Sequence, residues 1–186
     1  MRAFIAVVAD ASDLDRLAPL QQELLRRVPQ FHPQPRDNLH LTLAFLGEQS
    51  VATLEETRSL VLSVGGQTAP ISTRIQGLQL LGHGQRKRPL CLMLEPVMAL
   101  IELHRRLNDG LAGLGLETET RRYHPHLTLG RVSPPPPAPT VLADLAPDEP
   151  MELHFERLVL FRSRLLPGGA EHSALAEVDL TAATTH

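Results

Sequence analysis

His40-Leu41-Thr42-Leu43 and His126-Leu127-Thr128-Leu129 are the same tetrapeptide, and the two copies lie 86 positions apart. In a β-strand, side chains two residues apart point to the same face of the sheet. Each copy therefore predicts a strand with histidine and threonine on one face and two leucines buried on the other. If the two strands lie side by side, two imidazoles and two hydroxyls face a single cleft.

The chain around the two copies also repeats. Ile5 lies in an apolar run 35 residues before His40, and Leu92 lies in a second apolar run 34 residues before His126. Leucines at helical spacing separate these runs, so each half is predicted to contain a strand, a helix, the histidine strand, a helix and a further strand. Neither half can bury both faces of its own sheet. The pattern therefore predicts an α+β fold of two pseudo-symmetric lobes, with the repeated strands lining a cleft at the seam.

We expect one domain with approximate lobes at residues 1–85 and 86–186, and an exchange of terminal strands between the lobes stays open. Ser12 is the expected cap of the first helix, and Thr184–His186 is expected to fray. A closing hairpin is predicted around Pro167-Gly168-Gly169. The predicted strands are Arg2–Val8, Leu39–Leu46, Ile71–Leu81, Leu90–Glu95, His126–Val132, Phe155–Leu165 and Ser173–Leu180.

Composition excludes several classes of function. The chain has 186 residues, of which 42% are hydrophobic, and its net charge is −3, which disfavours sequence-independent coating of nucleic acid. A single cysteine, Cys91, excludes an intramolecular disulfide and a cysteine metal cluster. The sequence carries no apolar run long enough to cross a membrane, so we expect a cytoplasmic protein without a membrane partner. We also expect a monomer.

The residue types in the two copies indicate acid–base chemistry on a phosphodiester without a metal. Histidine titrates near pH 6.5, so His40 and His126 can each take or give a proton at neutral pH. The hydroxyls of Thr42 and Thr128 can donate hydrogen bonds to phosphate oxygens. No cofactor is predicted.

A metal site is the structural alternative for these histidines. His124 shares a strand face with His126, and His40 is a conceivable third ligand. No carboxylate or cysteine accompanies them at ligand spacing, and the paired threonines would have no purpose, so we predict no metal. The remaining histidines are predicted to have no role in the site: His32, His83, His104, His154, His172 and His186.

Four further features are candidate contacts to substrate. Arg131 could reach a phosphate, although strict alternation places it opposite His126. Phe45 falls on the leucine face by the same count, which favours core packing over stacking on a base. Tyr123 is either a base-stacking residue or a cover for a sheet edge. The turn Arg86-Lys87-Arg88 is either a solvated loop or a rim that contacts an RNA backbone.

On these motifs the chain resembles the two-histidine (2H) phosphoesterase superfamily, and within it the RNA 2′,3′-cyclic phosphodiesterases, also called 2′-5′ RNA ligases. The resemblance covers nearly the whole chain. The segments that carry it are Met1–Ala6, Asn38–Gly47, Tyr123–Arg131 and Phe161–Gly169.

The resemblance implies a bilobed fold with a central cleft, no required metal, and opening of an RNA 2′,3′-cyclic phosphate to a 2′-phosphate, with reversible 2′-5′ ligation as an accompanying activity. It assigns His40 as the proton donor to the 3′ oxygen and His126 as the base that activates water. The sequence alone leaves that assignment open. Cys91 occupies a position that is often tryptophan in the family. Two alternatives remain: a phosphodiesterase for other cyclic or 2′-5′ linked nucleotides, and an RNA-binding module with a vestigial site.

Overall fold

The computed structural model describes residues 1–84, 86–147, 150–167 and 169–181. Within these residues the chain forms eight β-strands and four α-helices. The strands are β1 (Arg2–Ala9), β2 (Phe31–Pro33), β3 (Leu41–Glu48), β4 (Ile71–Leu80), β5 (Arg88–Leu94), β6 (His126–Val132), β7 (Glu152–Leu166) and β8 (Gly169–Asp179). The helices are α1 (Ala11–Arg27), α2 (Val51–Gly65), α3 (Met98–Gly113) and α4 (Pro139–Leu145). Strand β6 begins at His126, as predicted, whereas β3 begins at Leu41, so His40 lies one residue before the strand that was expected to contain it.

The strands pair antiparallel throughout the described chain, which confirms the predicted α+β class. Their order is β1-β3-β6-β5-β4-β7-β8, and β2 adds to β6. Because β7 also pairs with β1, the pairings close a circuit of six strands. The two histidine strands, β3 and β6, are neighbours in this circuit.

Strands from the two sequence halves form five pairings with each other in the described chain, one of which joins β2 to β6. The β3–β6 contact is a single pair, Leu41 with Leu127. Strand β4 divides between partners, with Ile71–Arg74 against β7 and Ile75–Leu80 against β5. Strand β7 also lies along nearly the whole of β1. The halves therefore interlock, and the predicted lobe boundary at residue 85 stays a prediction.

Two local features differ from the sequence-based expectations. The cap of α1 is Asp10 and not Ser12: the Asp10 carboxylate accepts a hydrogen bond from the backbone N–H of Asp13 at 2.7 Å, while the Ser12 hydroxyl donates to the same carboxylate. The short strand β2 was not predicted, because the prolines in and near it indicated only an extended connection that leads to His40. Gly168, in the predicted hairpin turn, and Thr184–His186 lie outside the described residues.

The leucine face of the histidine strands lies in the hydrophobic core. Leu41, Leu43, Leu127 and Leu129 are buried together with leucines that recur at helical spacing on α1 and α3. This packing closes one face of β3 and β6 and leaves the histidine and threonine face open. Among the described residues, no helix combines the length and the apolar character that a membrane span requires.

Candidate active site

One cleft of about 620 Å³ is lined by both histidines and both threonines of the repeated motif. Extending the antiparallel Leu41–Leu127 pair by one residue in each direction sets Thr42 opposite His126 and His40 opposite Thr128. Residues directly opposite in an antiparallel pair point to the same face. The structure therefore brings the four predicted residues together, with each histidine across from the other motif's threonine.

A β-bulge follows the threonine in both histidine strands. In β3, Thr42 and Ala44 pair with consecutive residues of β1, so Leu43 is the extra residue. In β6, Thr128 and Gly130 pair with consecutive residues of β5, so Leu129 is the extra residue. An extra residue shifts the alternation of side chains by one position. Beyond each bulge, the opposite set of residues faces the cleft.

The bulges bring Phe45 and Arg131 to the cleft, and both residues line it. Phe45 is 77% exposed, so its expected packing in the core is wrong. Strict alternation predicted that Arg131 points to the face opposite His126. That prediction is wrong because the bulge at Leu129 shifts the alternation. Each residue lies five positions after its histidine. The same irregularity therefore delivers an aromatic ring from one motif and a guanidinium from the other.

Each catalytic-candidate imidazole is held by the carbonyl two residues earlier. Nδ1 of His126 donates a hydrogen bond to the backbone oxygen of His124 at 2.8 Å, since a carbonyl can only accept. His40 makes the corresponding backbone hydrogen bond to Asn38. With Nδ1 engaged, Nε2 of His126 is the nitrogen that remains for chemistry.

His40 lies in an aromatic environment. The Phe4 ring stacks on it with centroids 4.8 Å apart, and Phe161 and His172 follow at 5.9 Å and 5.5 Å. Burial and, to a smaller extent, the neighbouring His172 lower the pKa of His40, the hydrogen bond to Asn38 opposes both, and the net result is a pKa of about 4. In the free protein at neutral pH, the His40 imidazole is therefore uncharged.

Thr128 contacts Cys91, its register partner in β5. The Cys91 sulfur lies 3.4 Å from the Thr128 hydroxyl oxygen. Burial raises the pKa of the thiol to about 11, so the sulfur keeps its proton at neutral pH. The small Cys91 side chain therefore lies directly against the Thr128 hydroxyl.

Tyr123 lies outside this cleft and contributes to a second cavity of about 790 Å³, which shares Thr42, Phe45 and His126 with the first. One face of the Tyr123 ring stacks on His104 at 4.0 Å. Its hydroxyl donates to the backbone oxygen of Thr42 at 3.2 Å, and burial raises its pKa. The ring thus supports the β3 backbone, and its predicted contact with substrate stays a prediction.

The cleft is positively charged although the protein carries a net charge of −3. Arg2, Lys87 and Arg131 line it, and no Asp or Glu occurs among the described residues of its lining. Of the basic turn, Lys87 reaches the cleft, whereas the Arg88 guanidinium donates to the carbonyls of Leu80 and Leu81. The lining thus favours an anionic ligand.

Two histidines that were predicted to have no role also line the cleft, namely His32 and His172. Nε2 of His32 lies 3.0 Å from the Ser133 hydroxyl. His172 lies in β8 and is 132 positions after His40 in the chain. No local sequence signal marks either residue, because each reaches the cleft through strand pairings with distant parts of the chain.

Comparison with known proteins agrees with this geometry. Residues 15–165 match the family model of the 2′-5′ RNA ligase superfamily. The chain is 28% identical over 172 residues to the RNA 2′,3′-cyclic phosphodiesterase of Methanothermobacter thermautotrophicus, an alignment that covers 91% of this chain and 93% of that relative. It is 35% identical over 136 residues to the Escherichia coli enzyme of the same name, which covers 67% of this chain and 74% of the relative.

Solved structures give the same result. TT0787 of Thermus thermophilus has a TM-score of 0.82 at 26% identity, covering 98% of this chain and all of that one. E. coli LigT complexed with 3′-AMP has a TM-score of 0.76 at 25% identity, covering 97% of this chain and 98% of that one. The predicted resemblance is confirmed, and the chain belongs to the 2′-5′ RNA ligase superfamily.

Proposed function

We propose that the protein hydrolyses the terminal 2′,3′-cyclic phosphate of RNA to a 2′-phosphate by acid–base catalysis with two histidines. The observation that carries the proposal is the cleft itself, where His40, Thr42, His126 and Thr128 share one face beside cationic side chains. The curated relatives named above are RNA 2′,3′-cyclic phosphodiesterases, which supports the same reaction.

The reaction needs one proton acceptor and one proton donor. One histidine takes a proton from water as the water oxygen forms a bond to phosphorus. The bond between phosphorus and the 3′ oxygen breaks, and the other histidine gives its proton to that oxygen. Thr42 and Thr128 donate hydrogen bonds to the non-bridging oxygens and hold the phosphate in line.

The resemblance assigns the donor role to His40 and the acceptor role to His126. The free protein opposes this assignment in one respect, because the lowered pKa keeps His40 uncharged at neutral pH. A donor must start protonated. Under the proposed assignment, the negative charge of a bound phosphate raises the pKa of His40 and supplies the proton.

Arg131 and Phe45 complete the proposed site. The Arg131 guanidinium suits two parallel hydrogen bonds to phosphate oxygens. Phe45 presents an exposed ring at the junction of the two cavities, where a nucleobase can stack on it. We propose both as substrate contacts.

The proposal is tested by incubating the purified protein with a short RNA that ends in a 2′,3′-cyclic phosphate, in the presence of EDTA. We expect a 2′-phosphate product in the presence of EDTA, because the paired histidines and threonines need no metal. Adding Zn²⁺ should not increase this activity. Activity that disappears with EDTA and returns with one equivalent of metal would establish the metal alternative. Absence of any product would leave the RNA-binding module as the better reading.

Substrate class is the remaining comparison. Other cyclic nucleotides and 2′-5′ linked dinucleotides, tested in the same assay, should be poorer substrates than the RNA end, and a reversal of that order would favour the second phosphodiesterase reading. Reversible 2′-5′ ligation, a monomeric state and a cytoplasmic location belong to the same proposal.

A further inference from the structure

His172 carries an unusual buried atom. Among the described residues, its Nδ1 is the one buried side-chain nitrogen or oxygen that has no hydrogen-bond partner. Buried polar groups in proteins are almost always paired, so an unpaired one calls for an explanation. This one lies on a side chain that lines the catalytic cleft.

The position of the ring is set by three neighbours. His172 meets Phe4 edge to face with centroids 4.9 Å apart, and it meets His40 in the same manner at 5.5 Å. Its strand β8 pairs with β7, where Ser163 is its register partner and Phe161 lies 6.2 Å away. The ring therefore lies next to His40, and both rings line the same cleft.

The unpaired Nδ1 determines which nitrogen carries the hydrogen. Burial lowers the pKa of His172, so the ring is uncharged at neutral pH and has one N–H group. A buried N–H without an acceptor is rarer in proteins than a buried acceptor without a donor. The hydrogen therefore resides on Nε2, and Nδ1 is the unprotonated nitrogen. Since Nδ1 is buried and the side chain is only half-buried, the exposed edge of the ring is the one that holds Nε2.

We infer that His172 is a third substrate-binding histidine, whose uncharged Nε2–H donates a hydrogen bond to an oxygen of the phosphate bound beside His40. The inference rests on the proposed function for its ligand, a phosphate ester. A neutral donor at this place adds affinity without placing a second positive charge next to His40. It also explains why a polar ring stands among the phenylalanines of this corner.

Amide substitutions separate a donor from a packing role. The amide nitrogen of glutamine can take the place of Nε2, and that of asparagine the place of Nδ1. We expect His172→Phe and His172→Asn to weaken binding of inorganic phosphate and to lower kcat/KM about tenfold to a hundredfold, since each removes a hydrogen bond to a charged group. His172→Gln should recover most of that loss. The matched control is His83→Gln, which changes an exposed histidine on the β4–β5 loop and should have no effect.

A packing role gives the opposite order, with His172→Phe near normal and His172→Gln impaired, and that order would overturn the inference. Thermal unfolding of each variant identifies any that fail to fold. If they do fail, long-range ¹H–¹⁵N spectra of the unmodified protein decide, because a hydrogen on Nδ1 of His172 contradicts the inference and one on Nε2 supports it.

Phosphate binding and the tautomer can be measured without turnover. If the unmodified protein does not hydrolyse the cyclic phosphate, the proposed function fails, and the phosphate affinities of the variants still decide the role of His172.

Discussion

The two copies of the tetrapeptide are identical in sequence but lie in different surroundings. His40 is half-buried against Phe4, Phe161 and His172, and its pKa falls to about 4. His126 also lines the cleft and makes the same kind of hydrogen bond to a backbone carbonyl, but it lies outside that aromatic cluster. The difference comes from strands β1, β7 and β8, because Phe4, Phe161 and His172 on these strands lie around His40.

The bulges extend this comparison. Ala44 and Gly130 occupy the same position after the threonine, but only the second strand has β2 at its side. A Cβ atom on Gly130 would lie 2.3 Å from the backbone oxygen of His32, so a side chain larger than hydrogen does not fit. The next residues, Phe45 and Arg131, then face the cleft in equivalent positions with different chemistry. The same bulge in the two strands thus presents an aromatic ring in β3 and a guanidinium in β6.

Loss of either histidine tests whether both copies are needed. We expect His40→Ala and His126→Ala each to lower turnover by a factor on the order of 10²–10⁴, because each removes one proton transfer. The double variant should be little worse than the poorer single variant, since the pair acts as a unit. Turnover of the cyclic phosphate under saturating substrate is the measurement. Near-normal turnover in either single variant would end the two-histidine mechanism.

Substitution of Arg131 and of Phe45 should affect the affinity for different ligands. Arg131→Ala should weaken binding of inorganic phosphate by roughly tenfold to a hundredfold, because it removes a charge-assisted hydrogen bond. Phe45→Ala should leave phosphate affinity unchanged and weaken a nucleoside 2′-phosphate, because stacking needs a base. Titration calorimetry with both ligands measures this. Equal effects of Phe45→Ala on the two ligands would contradict a stacking role.

The proton state of His40 sharpens the contrast between the two imidazoles. We expect His40 to titrate near pH 4 in the free protein and at higher pH with inorganic phosphate bound, because the anion offsets the burial and the His172 contact that lower its pKa. Histidine ¹H–¹⁵N spectra across a pH series report both values. An unchanged pKa in the complex would favour His40 as the base and exchange the two roles.

The same lowered pKa should make the folded state less stable in acid. Unfolded histidine titrates near pH 6.5, so the folded protein binds fewer protons than the unfolded chain below that pH. Stability should fall as the pH drops from about 6.5 to 4, by up to about 3 kcal/mol. Urea unfolding of the protein and of His40→Gln over this range isolates the contribution, and equal slopes for the two proteins would contradict it.

The smallest expected effect has the opposite sign and comes from a histidine outside the cleft. His154 of β7 shares a 2.9 Å contact with the buried Asp13 of α1, and this hydrogen bond raises its pKa. Its contribution is therefore present in full below pH 6.5 and is lost as the pH rises through the raised value. The side chain is 44% exposed, which keeps the effect small. Asp13→Asn should remove this dependence between pH 6 and 9 in urea unfolding, and a persistent slope would assign it to another group.

Several features of the fold were predictable because local pattern decides them. Helices α2 and α3 and strands β4 and β6 follow apolar spacing closely, and the shared face of histidine and threonine follows from strand alternation. The bulges at Leu43 and Leu129 were not predictable. Leucine in a strand carries no sign of an unpaired position, and that one position determines where Phe45 and Arg131 point.

By itself, the sequence determined which groups are proposed to carry the chemistry, because His40, Thr42, His126 and Thr128 share a face through the two-residue period of any strand. It also determined the family, through motifs that remain contiguous in the chain. Only the tertiary structure decided how the two histidines differ. Burial, pKa and the third histidine beside His40 depend on side chains that strand pairing brings from distant parts of the chain, and no local period encodes those contacts.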